Sequence, residues 1–489
     1  MSKSLTKNAA FHVLYTVLNV IFPLVTATYV ARVIGPEGVG KVGYAQNIVS
    51  YFVMFAVLGI PSYGLREIAR TREDPAAKAK LFSELVVINA ISTGICSLAF
   101  YGLAFSGLFG PPAVYLACGT ELLLNLINID WFYQGEEEYV YITLRSVLIK
   151  ILSLAALFLF VRTAEDVFTY ALIHCLGAGG NHIFNILHAR KKVKLTFRGL
   201  ALKRHWKPIL MLTLSTVAAS LYTRVGVTVL GSVCPEESVA FYTNAHKVVS
   251  IGLTGVTAIS AVFMPRLSYL YRQRREEFQA LITGGTKIIL FLAVPCCLGL
   301  ILVAGDLIPV VFGESFAPAA SVLRIMSVLT IIIGLGDLLC YQAVISSGNE
   351  NALLTARLVA GGVNILLSGL LIPKLHHNGA AIALVVSELT VNGLLLKYAL
   401  SIAKPRLNLR YWASLLGSGA VMTAAVAAVQ RLIASPGVSL AVSVAVGVAV
   451  YFLSAWILKN ETLLACVSRL RGKKTAHMQN VPVDEPEVS

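Results

Sequence analysis

Charged residues are scarce in this sequence. Asp, Glu, Lys and Arg make up only 13% of its 489 residues, whereas 57% are hydrophobic and the mean hydropathy is +0.76. Soluble proteins carry about 25% charged residues. So few charges cannot cover a water-exposed surface, which excludes a soluble enzyme of this size and indicates a protein that crosses the membrane many times.

Disulfide frameworks, metal motifs and long outer loops are also missing. No Cys-x-x-Cys spacing occurs among the eight cysteines, and six of them fall within apolar runs. The adjacent His376 and His377 are interpreted as a solvated pair in a short loop. The longest connection on the predicted outer side, from Gly305 to Pro318, leaves no room for a catalytic domain. We therefore predict no metal, no cofactor and no enzymatic activity, including that of a membrane polymerase.

What the sequence does contain is a series of apolar runs of about twenty residues, the length that crosses a hydrocarbon layer roughly 30 Å thick. They predict an all-α integral membrane protein with about 14 transmembrane helices. The predicted spans are residues 12–34, 41–63, 81–106, 112–133, 139–161, 166–189, 208–231, 238–264, 281–304, 318–346, 351–372, 379–402, 410–432 and 438–458.

Lysine and arginine are distributed unevenly over the connections between these spans. The net charge is +15, and with a cytoplasmic N-terminus 27 basic residues fall on the cytoplasmic side, against four on the other: Lys41, Arg162, Lys374 and Arg431. Because cytoplasmic loops collect Lys and Arg, we predict a multi-pass protein of the cell membrane with both termini in the cytoplasm. The spread of these charges over separate loops excludes a nucleic acid partner.

Two similar segments indicate an internal repeat. Residues 36–50 (PEGVGKVGYAQNIVS) resemble residues 235–250 (PEESVAFYTNAHKVVS), and each follows the first span of one half of the chain. Six spans per half is an even number, so the two copies share one orientation and are related by an axis along the membrane normal. The predicted units are an N-lobe (residues 1–205), a C-lobe (residues 206–405), two added helices (residues 406–460) and a cytoplasmic tail (residues 461–489).

The stretch GPEGVGKV, residues 35–42, falls one residue short of a phosphate-binding loop. Val42 replaces the Ser or Thr whose hydroxyl would hold magnesium, and a predicted membrane span rather than a strand precedes the stretch. The predicted topology also places it outside the cell, away from nucleotide. Nucleotide binding is therefore excluded, and the stretch is interpreted as the turn between the first two spans.

Ionisable residues within the spans are functional candidates, because a charge at mid-bilayer costs about 2.5–3.5 kcal/mol on insertion scales. Arg224 and Lys247 are the strongest candidates for cations that bind substrate in a cavity, and Arg32 is a weaker third. Structural pairing is the alternative for each. Four carboxylates are candidates for their ion partners or for a proton or cation path: Glu121, Asp130, Asp337 and Glu388. Other charges lie near span ends and are interpreted as interfacial anchors: Glu84, Arg145, Lys287, Arg324 and Arg357.

Four phrases carry a resemblance to a known family. They are FPLVTATYVARVIGPEGVG (residues 22–40), GIPSYGLREIAR (59–70), DWFYQGEEEYVYITLR (130–145) and VNILLSGLLIPKLHHNGAAIALVVSE (363–388). In this order and spacing they resemble the polysaccharide or O-antigen flippases of the multidrug/oligosaccharidyl-lipid/polysaccharide exporter superfamily. The resemblance covers most of residues 1–402.

The resemblance implies two six-helix lobes that open alternately to the two sides of the membrane. Its implied substrate is an oligosaccharide on a polyprenyl diphosphate, moved from the inner to the outer leaflet for cell-surface polysaccharide. It also implies a cationic cavity for the head group, which suits Arg32, Arg224 and Lys247. Arg66, in the phrase GLREIAR, either meets the head group on entry or anchors the helix end. A polysaccharide polymerase and glycosyltransferases are implied partners.

One alternative within the same superfamily is a drug/cation antiporter. Such a transporter needs carboxylates in its cavity for the coupling ion, and in the first lobe only Glu121 and Asp130 qualify. Resistance to cationic dyes on expression would favour it.

Overall fold

The computed structural model describes residues 5–347 and 349–470, and in this part of the chain all regular structure is helical. The all-α prediction is confirmed. Short 3-10 helices cover Asn125–Ile127 and Glu314–Phe316, and a π-helix covers Asp337–Gln342. The α-helices are α1 (Leu5–Val57), α2 (Ile60–Arg70), α3 (Pro75–Phe105), α4 (Pro112–Leu124), α5 (Asp130–Gly135), α6 (Tyr139–Phe160), α7 (Val167–Gly179), α8 (Asn181–Ala189), α9 (Lys203–Val233), α10 (Glu236–Gln273), α11 (Arg275–Phe312), α12 (Ala319–Met326), α13 (Leu329–Gly336), α14 (Ala343–Ser346), α15 (Glu350–Ile402), α16 (Leu409–Leu432), α17 (Pro436–Ile457) and α18 (Glu461–Leu470).

Local sequence accounts for several helix starts. The Asp74 carboxylate accepts hydrogen bonds from the backbone N–H groups of Ala76 and Ala77, both at 3.0 Å, and Pro75 follows as the first helical residue of α3. Asp as N-cap and Pro at the next position is a favoured start, because both satisfy or remove N–H groups that have no partner within the helix. Asn408 caps α16 in the same way.

Two long helices reverse direction at a single residue. In α15 the reversal is at His376 (φ 49°), and the Asn364 side chain before it donates a 3.0 Å hydrogen bond to Ser387 after it. In α1 it is at Gly35, whose φ of 76° lies in the left-handed region that favours glycine. The arms on either side of Gly35 both run along α7, and GPEGVGKV is the bend between them.

The fourteen predicted spans all fall on helix, apart from short breaks. Within the described residues, eight stretches are long and apolar enough to cross a membrane: Ile21–Arg70, Pro75–Phe105, Tyr139–Phe160, Arg275–Phe312, Ala319–Ser346, Asn351–Ile402, Leu409–Leu432 and Pro436–Ile457. Two of these stretches contain the reversals at Gly35 and His376 and so each cover two predicted spans. The chain is thus a multi-pass membrane protein, whereas the count of fourteen crossings stays a prediction.

Helices from the two predicted lobes pack directly on each other. One large cluster of buried apolar side chains joins α1, α4 and α7 with α9, α10, α12 and α15. Helix α9 contacts both predicted lobes. Near its start, Ile209 is fully buried among N-lobe residues such as Phe82 and Trp131. Farther along, α9 packs mainly on α15. The lobe boundaries themselves stay predictions.

The two added helices, α16 and α17, pack on α11, and α18 closes the end of this group. The Glu461 carboxylate at the start of α18 accepts a hydrogen bond from Asn408 at 2.7 Å and pairs with Lys287 at 2.5 Å. These contacts hold the pKa of Glu461 below its usual range. Lys287 is therefore an ion-pair partner as well as a residue near a span end. Residues 471–489 of the predicted tail lie outside the described residues.

Candidate functional site

The main cavity lies between the predicted lobes, where the second arm of α1 and helix α7 face α9 and α10. Its volume is about 500 Å³, within the usual range for ligand sites. Both of the strongest predicted cations, Arg224 and Lys247, contribute to its wall. The lining residues are Val39, Gly43, Gln46, Asn47, Tyr170, Ser220, Thr223, Arg224, Val227, Tyr242, Thr243, His246 and Lys247.

The two similar segments, residues 36–50 and 235–250, both line this cavity and pack on each other. They meet at Gly40, where an added Cβ would lie 1.8 Å from the Glu236 carbonyl oxygen, so only glycine allows this approach. In the register of the sequence match, the amides Gln46 and Asn47 correspond to His246 and Lys247. The match therefore relates two neutral amides to two basic residues in the lining of one cavity.

A polar seam ties the second arm of α1 to α9 beside the cavity. Arg224 donates a hydrogen bond from Nη1 to the Ser50 hydroxyl. One turn farther along α9, the Thr228 hydroxyl lies 2.8 Å from both the Asn47 amide nitrogen and the Tyr51 hydroxyl. Hydrogen bonds within a membrane-embedded interface position helices against each other, so this seam holds the guanidinium of Arg224 at the cavity wall.

Lys247 is the second cation of the cavity. Its Nζ donates to Asn244 Oδ1 at 3.1 Å. Among the described residues, no carboxylate lies within 4.0 Å of Lys247 or of Arg224, and a neutral amide and a hydroxyl are their hydrogen-bond partners. Arg224 and Lys247 are partly buried, and cations of this kind without a neighbouring carboxylate create a positive potential. This cavity therefore favours an anionic ligand.

A smaller cavity of about 200 Å³ adjoins the first and shares Tyr170 and Lys247 with it. Lys150 of α6 and His174 of α7 line this second space. His174 Nδ1 lies 2.6 Å from the Gln46 amide nitrogen, which connects the two cavities. The basic character of the site therefore continues into the N-lobe.

Glu121, one of the four predicted carboxylates, interacts with residues of this site. It interacts electrostatically with His174, Arg224 and His182, although it does not line either cavity. The charged side chains that line the two cavities, within the described residues, are Arg224, Lys247 and Lys150, so the lining itself is cationic. Whether Glu121 acts in ion coupling stays a prediction.

Arg32 and Arg66 lie away from the two cavities. Arg32 donates a hydrogen bond to the Val310 carbonyl and so joins α1 to the end of α11. Arg66 is half exposed, pairs with Glu67 at 3.0 Å and places its guanidinium over the Tyr63 ring. Neither residue is brought together with Arg224 and Lys247, so a role in substrate binding stays a prediction for both.

Asp130 pairs within the N-lobe rather than with the cavity cations. Its Oδ1 lies 3.2 Å from Arg145 Nη1 and accepts a further hydrogen bond from Asn185. The Asn185 side chain also accepts from Arg145, which closes a three-residue network. Arg145 is only 7% exposed, so its interpretation as an interfacial anchor is wrong. The network joins α5, α6 and α8.

Replacing Asp130 by asparagine should lower the stability of the protein but should not impair transport by the molecules that are folded. The buried Arg145 would lose its carboxylate, and a buried charge left with a neutral partner costs about 1–3 kcal/mol. A thermal unfolding assay in detergent should show a lower midpoint, while transport per folded molecule stays close to wild type. Loss of transport at unchanged stability would instead assign Asp130 to the transport step.

Asp337 and Glu388 line a third cavity, of about 190 Å³, inside the C-lobe. Arg357 lines the same cavity, with its guanidinium over the Tyr341 ring, so it is not simply an anchor. Asp337 opens the π-helix and accepts a 3.1 Å hydrogen bond from Gln342. These two carboxylates therefore stand apart from the central cations, and an ion path through them stays a prediction.

Several lining residues escaped the sequence analysis as binding candidates. Gln46, Asn47 and His174 are ordinary polar residues, and charge within a span does not single them out. The internal match does contain a signal, since Asn47 aligns with the candidate Lys247. Lys150 is one of the ionisable candidates that the sequence places within a span, but its depth in the membrane alone does not say which helix it faces.

Comparison with known proteins places the chain in a family. Residues 5–271, more than half of the chain, match the family described as polysaccharide biosynthesis protein. The chain belongs to this polysaccharide biosynthesis protein family. A putative O-antigen transporter of Escherichia coli K12 is 26% identical over 404 residues, which cover 81% of this chain and 96% of that protein. The predicted resemblance to the O-antigen flippases is confirmed.

Solved structures of transporters share the fold. The lipid II flippase MurJ, in an inward closed conformation, matches with a TM-score of 0.76 at 14% identity, covering 93% of this chain and 99% of that one. An inward-facing multidrug resistance MATE family transporter of the MOP superfamily matches with a TM-score of 0.63 at 16% identity, covering 78% and 94%. The chain therefore has the fold of these solved transporter structures.

Proposed function

We propose that the protein moves an oligosaccharide linked to a polyprenyl diphosphate from the cytoplasmic to the outer leaflet of the cell membrane, for cell-surface polysaccharide. The observation that carries this proposal is the pair Arg224 and Lys247 in the inter-lobe cavity, with no carboxylate within 4.0 Å among the described residues. Relatives named as an O-antigen transporter and a lipid II flippase support a lipid-linked saccharide as the substrate.

The chemistry of the cavity wall fits such a head group. A guanidinium forms paired hydrogen bonds to phosphate oxygens and an ammonium acts as a point charge, so Arg224 and Lys247 suit the two phosphates. The amides of Gln46 and Asn47 and the Thr223 hydroxyl, which line the same cavity, suit sugar hydroxyls. These neutral groups donate and accept hydrogen bonds without adding charge.

Alternating access would use the polar seam between α1 and α9. When the head group enters, Arg224 exchanges its bond to the Ser50 hydroxyl for one to phosphate, which weakens a contact between the lobes. The membrane potential favours outward movement, since moving a charge is worth about 2.3 kcal/mol per 100 mV and a diphosphate diester carries about two negative charges. No nucleotide is needed for such a step.

The decisive experiment is transport by the purified full chain in proteoliposomes. A polyprenyl-diphosphate-linked oligosaccharide with a fluorescent sugar is incorporated, and its arrival in the opposite leaflet is followed with a membrane-impermeant quencher. We expect translocation well above that in protein-free vesicles, and faster when the compartment that the head group leaves is negative.

Two results would contradict the proposal. Translocation equal to that in protein-free vesicles would remove the flippase function. Uptake of a cationic dye in place of the lipid would favour the drug/cation antiporter, although the cationic cavity disfavours that alternative. The proposed partners, a polysaccharide polymerase and glycosyltransferases, are tested separately by co-purification from the native membrane.

A further inference from the structure

The connection between the two lobes carries a dense positive charge. We call residues 190–207 (RKKVKLTFRGLALKRHWK) the inter-lobe strap. It contains eight basic residues and no acidic one, and all eight are exposed: Arg190, Lys191, Lys192, Lys194, Arg198, Lys203, Arg204 and Lys207. Two of them, Lys192 and Arg204, pair with Glu138 and Glu84. The other six have no carboxylate within 4.0 Å in the described part of the chain.

The strap is held firmly against the N-lobe. The buried Glu84 side chain accepts hydrogen bonds from the Ala201 backbone N–H at 2.7 Å and from Arg204, and its Oε2 lies 2.9 Å from His205 Nε2. The Thr196 backbone N–H donates to the Ser83 hydroxyl at 2.8 Å. An anchored backbone keeps the exposed side chains on one surface.

Large apolar side chains stand among these charges. Phe197 is 69% exposed, and Leu195 and Trp206 are each about half exposed. Trp206 lies in the first turn of α9, next to Lys203 and Lys207, and the exposed Met211 and Leu214 follow it along the helix. Tryptophan and lysine at the end of an apolar helix are typical of the membrane–water interface.

We propose that the inter-lobe strap binds anionic phospholipid head groups at the membrane surface. Basic side chains next to a membrane attract anionic lipids by about 1 kcal/mol each. Exposed Phe197, Leu195 and Trp206 enter the boundary between head groups and acyl chains, which a nucleic acid would not cover. Since the strap joins the lobes and is fixed to one of them, this contact anchors the N-lobe while the C-lobe moves.

The test uses the purified full chain equilibrated with detergent micelles that contain phosphatidylglycerol or phosphatidylcholine, with bound lipid measured by mass spectrometry. The variant Lys191→Gln/Lys194→Gln/Arg198→Gln removes three exposed charges that have no ion-pair partner. We expect it to raise the half-saturating phosphatidylglycerol fraction by about tenfold or more. Binding of phosphatidylcholine should not change.

A matched control, the variant Lys397→Gln/Lys404→Gln/Arg410→Gln, removes three exposed charges that lie outside the strap, two in the C-lobe and one in α16. It should leave phosphatidylglycerol binding within about twofold of wild type, since those charges lie outside the strap. Equal loss in both variants would overturn the proposal, because binding would then follow total charge. If the strap variant does not fold, the salt dependence of phosphatidylglycerol binding to the wild-type protein is the test. Raising salt from about 0.1 M to about 1 M shortens the Debye length from about 10 Å to about 3 Å and should release the lipid.

Competition separates this site from the transport site. At concentrations well below that of phosphatidylglycerol, polyprenyl diphosphate should not displace phosphatidylglycerol from the strap, and neither should free pyrophosphate. Displacement by polyprenyl diphosphate would make the strap part of substrate entry, and displacement by pyrophosphate would make it a general anion site; either result overturns the proposal. The binding assay needs no transport, so its outcome is independent of the proposed function.

Discussion

Replacing Lys247 or Arg224 by alanine should reduce lipid-linked oligosaccharide transport by about ten- to hundredfold. Each cation is proposed to make charge-assisted hydrogen bonds to the diphosphate, and such bonds are worth about 1.5–3 kcal/mol. Apart from these two cations, the described polar groups that line this cavity are amides, hydroxyls and His246, so the same cavity holds no third lysine or arginine to replace a lost charge. Proteoliposome transport, normalised to reconstituted protein, is the measurement.

Matched variants distinguish loss of substrate binding from loss of structure. Arg32→Ala removes an equal charge outside both cavities: transport within about threefold of wild type would show that losing any one cation is not enough, and a larger loss would support the predicted role of Arg32 in substrate binding. Lys247→Arg keeps the charge and should retain more transport than Lys247→Ala. Full transport by both Lys247→Ala and Arg224→Ala would remove the two cations from the mechanism.

Replacing Glu84 by alanine should destabilise the protein by roughly 3 kcal/mol, because removing one partner of a buried charge network leaves the others uncompensated. Glu84 is fully buried and binds the Ala201 backbone, Arg204 and His205 at once. The Tyr63 hydroxyl in turn lies 2.8 Å from His205 Nδ1. The interpretation of Glu84 as an interfacial anchor is therefore wrong.

Thermal unfolding in detergent measures this effect, and limited proteolysis should show cleavage within residues 190–207 once the strap loses its anchor. The control is Glu67→Gln, which removes a carboxylate that pairs with Arg66 and Arg70 near the surface. Such pairs are worth about 0–1 kcal/mol, so this variant should unfold close to wild type. An unfolding midpoint of Glu84→Ala equal to that of Glu67→Gln would show that the buried network does not stabilise the strap.

The sequence by itself determined the class of protein, the helical fold, the family and the two central cations. These follow from local properties. An apolar run long enough to cross a bilayer must satisfy its own backbone hydrogen bonds and so becomes a helix. A single charge within such an apolar run costs free energy, so Arg224 and Lys247 are recognisable as functional candidates from the sequence alone.

The tertiary structure decided which charged groups meet. Arg224 reaches Ser50 on the other predicted lobe, Asp130 pairs with Arg145, and Glu84 anchors the strap. The depth of a residue within a span is readable from sequence, but its partner depends on how helices are rotated and staggered against each other. Packing of distant segments sets that register, as at the close approach of Gly40 to Glu236, and no local pattern encodes it.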